Sequence, residues 1–271
     1  MLDPAAKVNG FVVLTMIVQI YEIQTPDEAE SLVELGVDHI GSVILSESSW
    51  KDPILRETVQ FTRSAGARSS LIPLFSNQDS ILQTVDYYQP DIIHFCETLS
   101  NHAGTLDSCK KLRDIQTHVK TEFPEIRIMR SIPIAPTGSV HMVPTLDLAA
   151  IFEPVTDIFL TDTLLVADPN TPNALNPQPV SGYIGITGQI CDWQMARRLV
   201  GVCKIPVILA GGISPDNVAN GIALVRPAGV DSCTATNAVD GRGRSIRFKK
   251  DPEKVKRLIE GVRKAETALS A

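Results

Sequence analysis

A chain of 271 residues with 44% hydrophobic and 21% charged content carries enough apolar material for a folded interior, which excludes intrinsic disorder. Its formal net charge of −6 argues against nucleic acid or an anionic membrane as a partner, and no apolar run is long enough to cross a bilayer. The cysteines (Cys96, Cys109, Cys191, Cys203 and Cys233) are odd in number and lack CxxC spacing, and the histidines (His39, His94, His102, His118 and His141) are scattered. That pattern points to no disulfide framework and no metal site, and to a reducing, cytoplasmic setting.

Taken in order, the chain alternates strands with helices. Gly10 to Ile20 is the most apolar N-terminal run. It has no basic flank and no small-residue cleavage site, so it reads as a strand over Val12 to Ile20 and not as a signal peptide. Thr25-Pro26-Asp27-Glu28 is a helix start, and Gly36 a helix stop. The next strands are predicted at Asp38 to Leu45, Ser69 to Leu74, Asp91 to Phe95, Ile126 to Ile132, Asp157 to Thr161, Pro206 to Ala210 and Val230 to Cys233. The intervening helices are predicted at Pro53 to Ser64, Asp79 to Tyr88, Leu106 to Glu122, Thr145 to Phe152, from near Asp192, and at Pro215 to Leu224, with a last one from Asp251 to Ala268. Strand–helix units of roughly thirty residues, eight times over, predict a (β/α)8 barrel with its active site at the C-terminal ends of the strands. An open doubly wound sheet is the alternative. No Pro/Ser-rich linker divides residues 1–271, so a single domain is expected.

Two connections are long. Asp162 to Gly188 is rich in proline and asparagine, and reads either as a lid over the active face or as a mobile insertion. Thr234 to Lys250 gathers Arg242, Arg244, Arg247, Lys249 and Lys250, either as a solvated basic loop or as an anion contact. Between them, Pro206 to Asn217 reads as buried strand, glycine turn and helix start. Ser214 is placed as N-cap, with Pro215 at the first helical position. Bare backbone N–H groups at Gly211 and Gly212 beside a helix N-terminus suit a phosphate; a turn needing glycine for geometry alone is the other reading.

Chemistry-bearing side chains follow from strand alternation. Tyr21 and Glu22 are adjacent, so if Tyr21 points into the barrel, Glu22 should point away or sit on the loop. His94 and Cys96 should share a side, as an acid/base or nucleophile pair or as barrel core. Arg130 is placed to meet an anionic substrate or to make a surface salt bridge. Trp193 is expected to pack the sixth helix on the barrel, and Asp231 to be structural.

Several segments resemble phosphoribosylanthranilate isomerases of the tryptophan pathway, which convert an aminoaldose phosphate to an aminoketose phosphate. Pro206 to Val218 is similar to that family's seventh-strand phosphate loop. Gly185 to Trp193 is similar to its Gly-Gly-Thr-Gly-x-x-Phe-Asp-Trp signature. Ile20 to Ala29, Leu35 to Asp38, Gly241 and Lys250 to Glu253 resemble the segments around its first, second and last units. The resemblance implies a barrel of the ribulose-phosphate-binding type, a small phosphorylated substrate, no cofactor, and a monomer or homodimer. It implies Asp162 as general acid, and Thr187, Gly188, Gly211, Gly212, Thr234 and Ala235 as phosphate and substrate positions. It also marks departures. Tyr21 stands where the family carries its catalytic Cys, so Tyr21 or His94 is the expected partner of Asp162. Ser46 to Trp50 offers no Arg for a substrate carboxylate, Lys51 being the nearest cation in sequence. His94-Phe95-Cys96-Glu97 replaces Gln-Leu-His-Gly, and Thr234-Ala235-Thr236-Asn237 replaces Ser-Gly-Val-Glu. The implied function is sugar-phosphate isomerisation by acid/base catalysis; a non-catalytic phosphosugar or nucleotide binder and an interaction protein are the alternatives.

Overall fold

The computed structural model describes residues 5–8, 11–99, 105–166 and 178–270; residues 167–177 of the long connection and His102 lie outside the described residues. Eight parallel strands close into a barrel: β1 (Ile17–Ile20), β2 (His39–Ile44), β3 (Arg68–Pro73), β4 (Ile92–Phe95), β5 (Arg127–Ile134), β6 (Ile158–Thr163), β7 (Val207–Leu209) and β8 (Gly229–Ser232). β8 closes on β1 with Val230 opposite Val18 and Asp231 opposite Gln19. A helix follows each strand: α1 (Pro26–Glu34), α2 (Pro53–Ser64), α3 (Gln78–Tyr88), α4 (Thr105–Glu122), α5 (Thr145–Phe152), α6 (Trp193–Val202), α7 (Val218–Val225) and α8 (Pro252–Ser270). This is the expected (β/α)8 barrel.

Parity along the strands sorts the side chains. Val18 and Ile20 point outward and pack with Leu32 of α1 and Leu258 and Val262 of α8. Leu71, Ile93 and Ile128 do the same against Val59, Ile81 and Ile115 of α2 to α4. Inside, Ile92, Met129, Ile158, Leu160, Ile208 and Ala210 form an apolar floor. Each such buried aliphatic contributes ~1.5–3 kcal/mol relative to exposure. Above the floor the lining turns polar. Gln19 Nε2 donates to Asp231 Oδ1 at 3.1 Å, and His39 Nδ1 lies 3.0 Å from Gln19 Oε1.

Three local expectations are corrected. The strand expected over Val12 to Ile20 divides: Ile17–Ile20 joins the barrel, while Phe11–Leu14 pairs with Ala5–Val8 in a separate antiparallel hairpin. The break falls where the Met16 N–H is taken by the Glu266 carboxylate of α8. α7 starts at Val218 with Asn217 as N-cap, not at Pro215. The Ser214 N–H is occupied by Asn217 Oδ1 at 2.9 Å, which bends Ser214 to Asn217 into a turn ahead of the helix. The basic connection is not an open loop. Thr234–Thr236 is a short 3-10 turn, and Asn237–Val239 and Ser245–Lys250 form a β-ribbon. Its tip is set by Asp240 Oδ1, which accepts from the N–H groups of Arg242 and Arg244, each at 2.9 Å.

Candidate active site

The C-terminal strand ends open into two adjoining pockets. One is lined by Thr187, Gly188, Gly211, Gly212, Ser232, Thr234 and Ala235. The other, over the barrel mouth, is lined by Tyr21, Glu22, His94, Cys96 and Ser131 with an apolar wall that includes Val43, Ile72, Leu74, Tyr183 and Ile184. Asp162, Ile186, Asp231 and Cys233 line both.

The glycine pocket is made by close backbone approach. Gly212 has φ 71°, and a Cβ there would fall 2.7 Å from the backbone of Gln189 and Ile190. Only glycine combines that left-handed conformation with that contact. Asn217 Nδ2 donates to Gly212 O at 2.8 Å and fixes the turn. Opposite it, the Thr234–Thr236 turn brings the Thr234 methyl against Gly188. The residues expected at a phosphate, Thr187, Gly188, Gly211, Gly212, Thr234 and Ala235, therefore converge on one pocket.

Asp162 points inward near the end of β6. The chain passes so close at Gly185 (φ 108°) that a Cβ there would lie 2.5 Å from Asp162 Oδ2. Asp162 Oδ1 accepts from the Thr163 N–H at 2.7 Å. Burial outweighs that bond and pushes the carboxyl up to about 7. Asp231 is likewise pushed up to about 7, first by burial and further by the charge of Asp162, against the Gln19 hydrogen bond and the attraction of Lys250. Expected to be structural, Asp231 instead lines both pockets.

Tyr21 and His94 also face the barrel-mouth pocket, but in a closed network. The Tyr21 hydroxyl lies 2.5 Å from Ser70 Oγ and 2.7 Å from His94 Nδ1, and His94 Nε2 lies 2.8 Å from Ser131 Oγ. The Tyr21 ring fills the space over Gly41, where a Cβ would come within 2.2 Å of it. Burial raises the phenol well above its ordinary 10, with Ser70 opposing. Burial, helped by the charge of Arg130, lowers His94 to about 3. A neutral imidazole has one N–H, so a phenol proton given to Nδ1 leaves Nε2–H to donate to Ser131. A phenol and an imidazole perturbed in these directions are poorly matched to proton transfer near neutrality. The two groups expected as partners to Asp162 are therefore committed to each other and to Ser70 and Ser131. Nor do His94 and Cys96 form a couple. Both imidazole nitrogens are taken, and burial, with Glu97 and Asp162 nearby, raises the Cys96 thiol.

Glu22 departs from alternation. It sits on the loop after β1, one of the two expected placements, and with φ 69° its side chain lines the same cavity as Tyr21. Glu22 Oε1 accepts from Arg247 Nε at 2.7 Å and from Arg247 Nη2. Two other basic residues of this connection are also paired within the protein. Arg244 pairs with Asp240, and Lys250 Nζ bonds Asn237 Oδ1 and Cys233 O. Arg244, Arg247 and Lys250 of this cluster are thus held by internal pairing. Arg130 is corrected more sharply. It is fully buried outside the barrel lumen, donating to Gln116 Oε1 of α4 at 2.7 Å and to Glu97 Oε2 at 2.5 Å, between the rings of Phe95 and Phe152. It is closed off from solvent and lines neither pocket. Trp193 packs α6 on the outer core.

Part of the long connection is tied down. Thr98 N donates to Gly182 O at 2.8 Å and Ile184 N to Cys96 O at 2.9 Å, so Gly182 to Ile184 lies across the end of β4. Among the described residues, no group of three or more His, Cys, Asp or Glu is placed to hold a metal ion, and no helix is long and apolar enough to cross a membrane.

With this geometry in place, the comparisons are specific. Residues 18–260 match the family model for N-(5'phosphoribosyl)anthranilate (PRA) isomerase. An N-(5'-phosphoribosyl)anthranilate isomerase from Methanocella arvoryzae is 27% identical over 258 residues, 91% of this chain and 97% of its own length. The solved structure of N-(5'-phosphoribosyl)anthranilate isomerase from Pyrococcus furiosus is similar at a TM-score of 0.60 and 21% identity, over 92% of this chain and 99% of that one. A phosphoribosyl anthranilate isomerase solved with reduced 1-(O-carboxyphenylamino)-1-deoxyribulose 5-phosphate is similar at a TM-score of 0.57 and 18% identity, over 92% and 100% of the two chains.

Proposed function

The chain belongs to the N-(5'-phosphoribosyl)anthranilate isomerase family, and from that premise we propose that it isomerises an N-substituted 5-phosphoribosylamine, with Asp162 as acid and Asp231 as base. The observation that carries this is the placement of two buried carboxyls, both pushed up to about 7, where the glycine pocket meets the barrel-mouth pocket. Groups near the working pH transfer protons best, and carboxyls whose environments differ take different roles.

The roles follow from the partners. Asp162 is deeply buried with one backbone N–H opposing, and burial, the larger of the two, favours its protonated form. Asp231 has the Gln19 hydrogen bond and the attraction of Lys250, which favour its ionised form. The phosphate occupies the glycine pocket, held by backbone N–H groups and the Thr234 turn. The sugar then spans the two shared carboxyls, and the N-substituent enters the barrel mouth. Asp162 gives its proton to the ring oxygen; the C1–O bond breaks as the nitrogen lone pair forms an iminium. Asp231 takes the proton from C2, giving an enolamine that tautomerises to the aminoketose. Tyr21, Ser70, His94 and Ser131 hold the wall of the pocket in shape.

The test is turnover of N-(5'-phosphoribosyl)anthranilate and analogues differing in the N-substituent by native protein, Asp162→Asn and Asp231→Asn. Turnover by the native protein of at least one of these, lost in both folded variants, is expected. Native-like turnover in either variant would overturn the assignment of that residue. Phosphosugar binding with no turnover of any analogue would return the protein to the non-catalytic binder.

A further inference from the structure

The barrel-mouth pocket has a one-sided charge balance. Glu22, Asp162 and Asp231 line it, and among the described residues no lysine or arginine does. The described residues of the connection beside it, 162–166 and 178–189, contain no lysine, arginine or histidine. His94 is no substitute cation, because burial keeps its imidazole neutral. Lys51 lies against the rings of Trp50 and Tyr87, and Arg247 is held on Glu22 Oε1.

Glu22 has a second oxygen left over. The residue is 1% exposed, yet Oε2 has no hydrogen-bond partner. The thiol of Cys233 beside it is a weak donor at best. A buried acceptor without a donor is costly, and a residue held at positive φ in a cleft points to a use for its side chain. This oxygen belongs to a side chain that faces a cavity with apolar walls at Val43, Ile72 and Ile184. A flat ring or short alkyl group suits those walls, and a donor on it would complete Oε2. A carboxylate on it would meet Glu22, Asp162 and Asp231, and Arg247, the cation on Glu22, is already paired there.

We propose that the substrate's N-substituent carries an N–H or ammonium donor to Glu22 Oε2 and no carboxylate, so that the substrate class is a 5-phosphoribosylamine bearing an amide or amine group. This rests on the isomerase reading of the same site and narrows it. Glu22 is then a specificity residue, with Arg247 holding it in place.

Isothermal calorimetry on the full-length protein tests this with probes that cannot isomerise. N-(2-carbamoylphenyl)- and N-(2-carboxyphenyl)-1-amino-1-deoxyribulose 5-phosphate in reduced form differ only at the group in question. Ribulose 5-phosphate lacks the N-substituent and reports the phosphate end by itself. The carbamoyl probe is expected to bind at least about tenfold tighter than the carboxy probe, the worth of one hydrogen bond to a charged group. Glu22→Gln is expected to shrink or invert that preference. Equal or tighter binding of the carboxy probe by native protein would overturn the proposal and, with ribulose 5-phosphate bound, leave the isomerase reading standing. An unchanged preference in folded Glu22→Gln would overturn it too. Failure of all three compounds to bind native protein would sink both. Should Glu22→Gln fail to fold, the native comparison alone decides.

Discussion

The β6–β8 side of the barrel mouth and the β1–β5 side are both buried and both polar, yet they are wired differently. On the first, among the described residues, Asp162 is bonded to a single backbone N–H and Asp231 to a single amide, with glycine turns and a short threonine turn beside them. On the second, Tyr21, Ser70, His94 and Ser131 satisfy one another in an unbroken run. Burial pushes the carboxyls of the first toward neutrality, and pushes the phenol and imidazole of the second away from it. On the proposed reading, the same desolvation suits one side to giving and taking protons and leaves the other a rigid wall. Glu22 is the exception on the wall side, with one oxygen still unpaired.

Substitutions sharpen or break this contrast, in order of their effect on turnover. Asp162→Asn and Asp231→Asn should each lower kcat by ~10²–10⁴. The double variant should fall little further, since residues acting as a unit are not additive; steady-state kinetics on folded protein reads both. Gly212→Ala puts a methyl into the backbone of Gln189 and Ile190. It should weaken inorganic phosphate and ribose 5-phosphate by about tenfold or more in calorimetry. Tyr21→Phe strips a shared partner from Ser70 and His94. It should cost ~1–3 kcal/mol in denaturant unfolding while kcat stays near native. Arg130→Met leaves Glu97 buried without its cation, and should cost ~3–5 kcal/mol of stability with KM and kcat of the folded protein unchanged.

The carboxyls also predict a pH signature. Each sits at about 7 in the fold against 3.8 for an ordinary Asp, so between those values the native state holds protons that the unfolded chain has released. Their stabilising contribution is full below the unfolded value and lost as pH rises through about 7. Asp231→Asn should therefore reduce the fall in Tm between about pH 5 and pH 8, and raise Tm at the upper end. A steeper fall in the variant would contradict the burial of that charge.

Much of the frame was legible because it is local. Two-sided apolar runs mark the barrel strands, and Gly211-Gly212 after Leu209 marks the turn. What parity could tell, it told for His94 and Cys96. Parity applied to β5 would also have sent Arg130 outward with Ile128 and Ile132, once Met129 is inside. Asp240-Gly241 is a hairpin signal within what reads as a basic loop. Asp231 was hidden for a physical reason. A lone Asp in a short strand gains its role from Gln19, 212 positions away, and from Asp162 across the barrel. Glu22 escaped alternation because its backbone is left-handed just past the end of β1, and its ion-pair partner Arg247 lies 225 positions on, beyond any local signal.

The most direct test of the account is a carbon-13 titration of the aspartate carboxyls in the full-length native protein, with Asp162→Asn and Asp231→Asn assigning the two signals. The account predicts two carboxyls titrating around 7 as a coupled pair, each shifting when the other is neutralised. Two carboxyls that titrate independently near the ordinary 3.8 would contradict it.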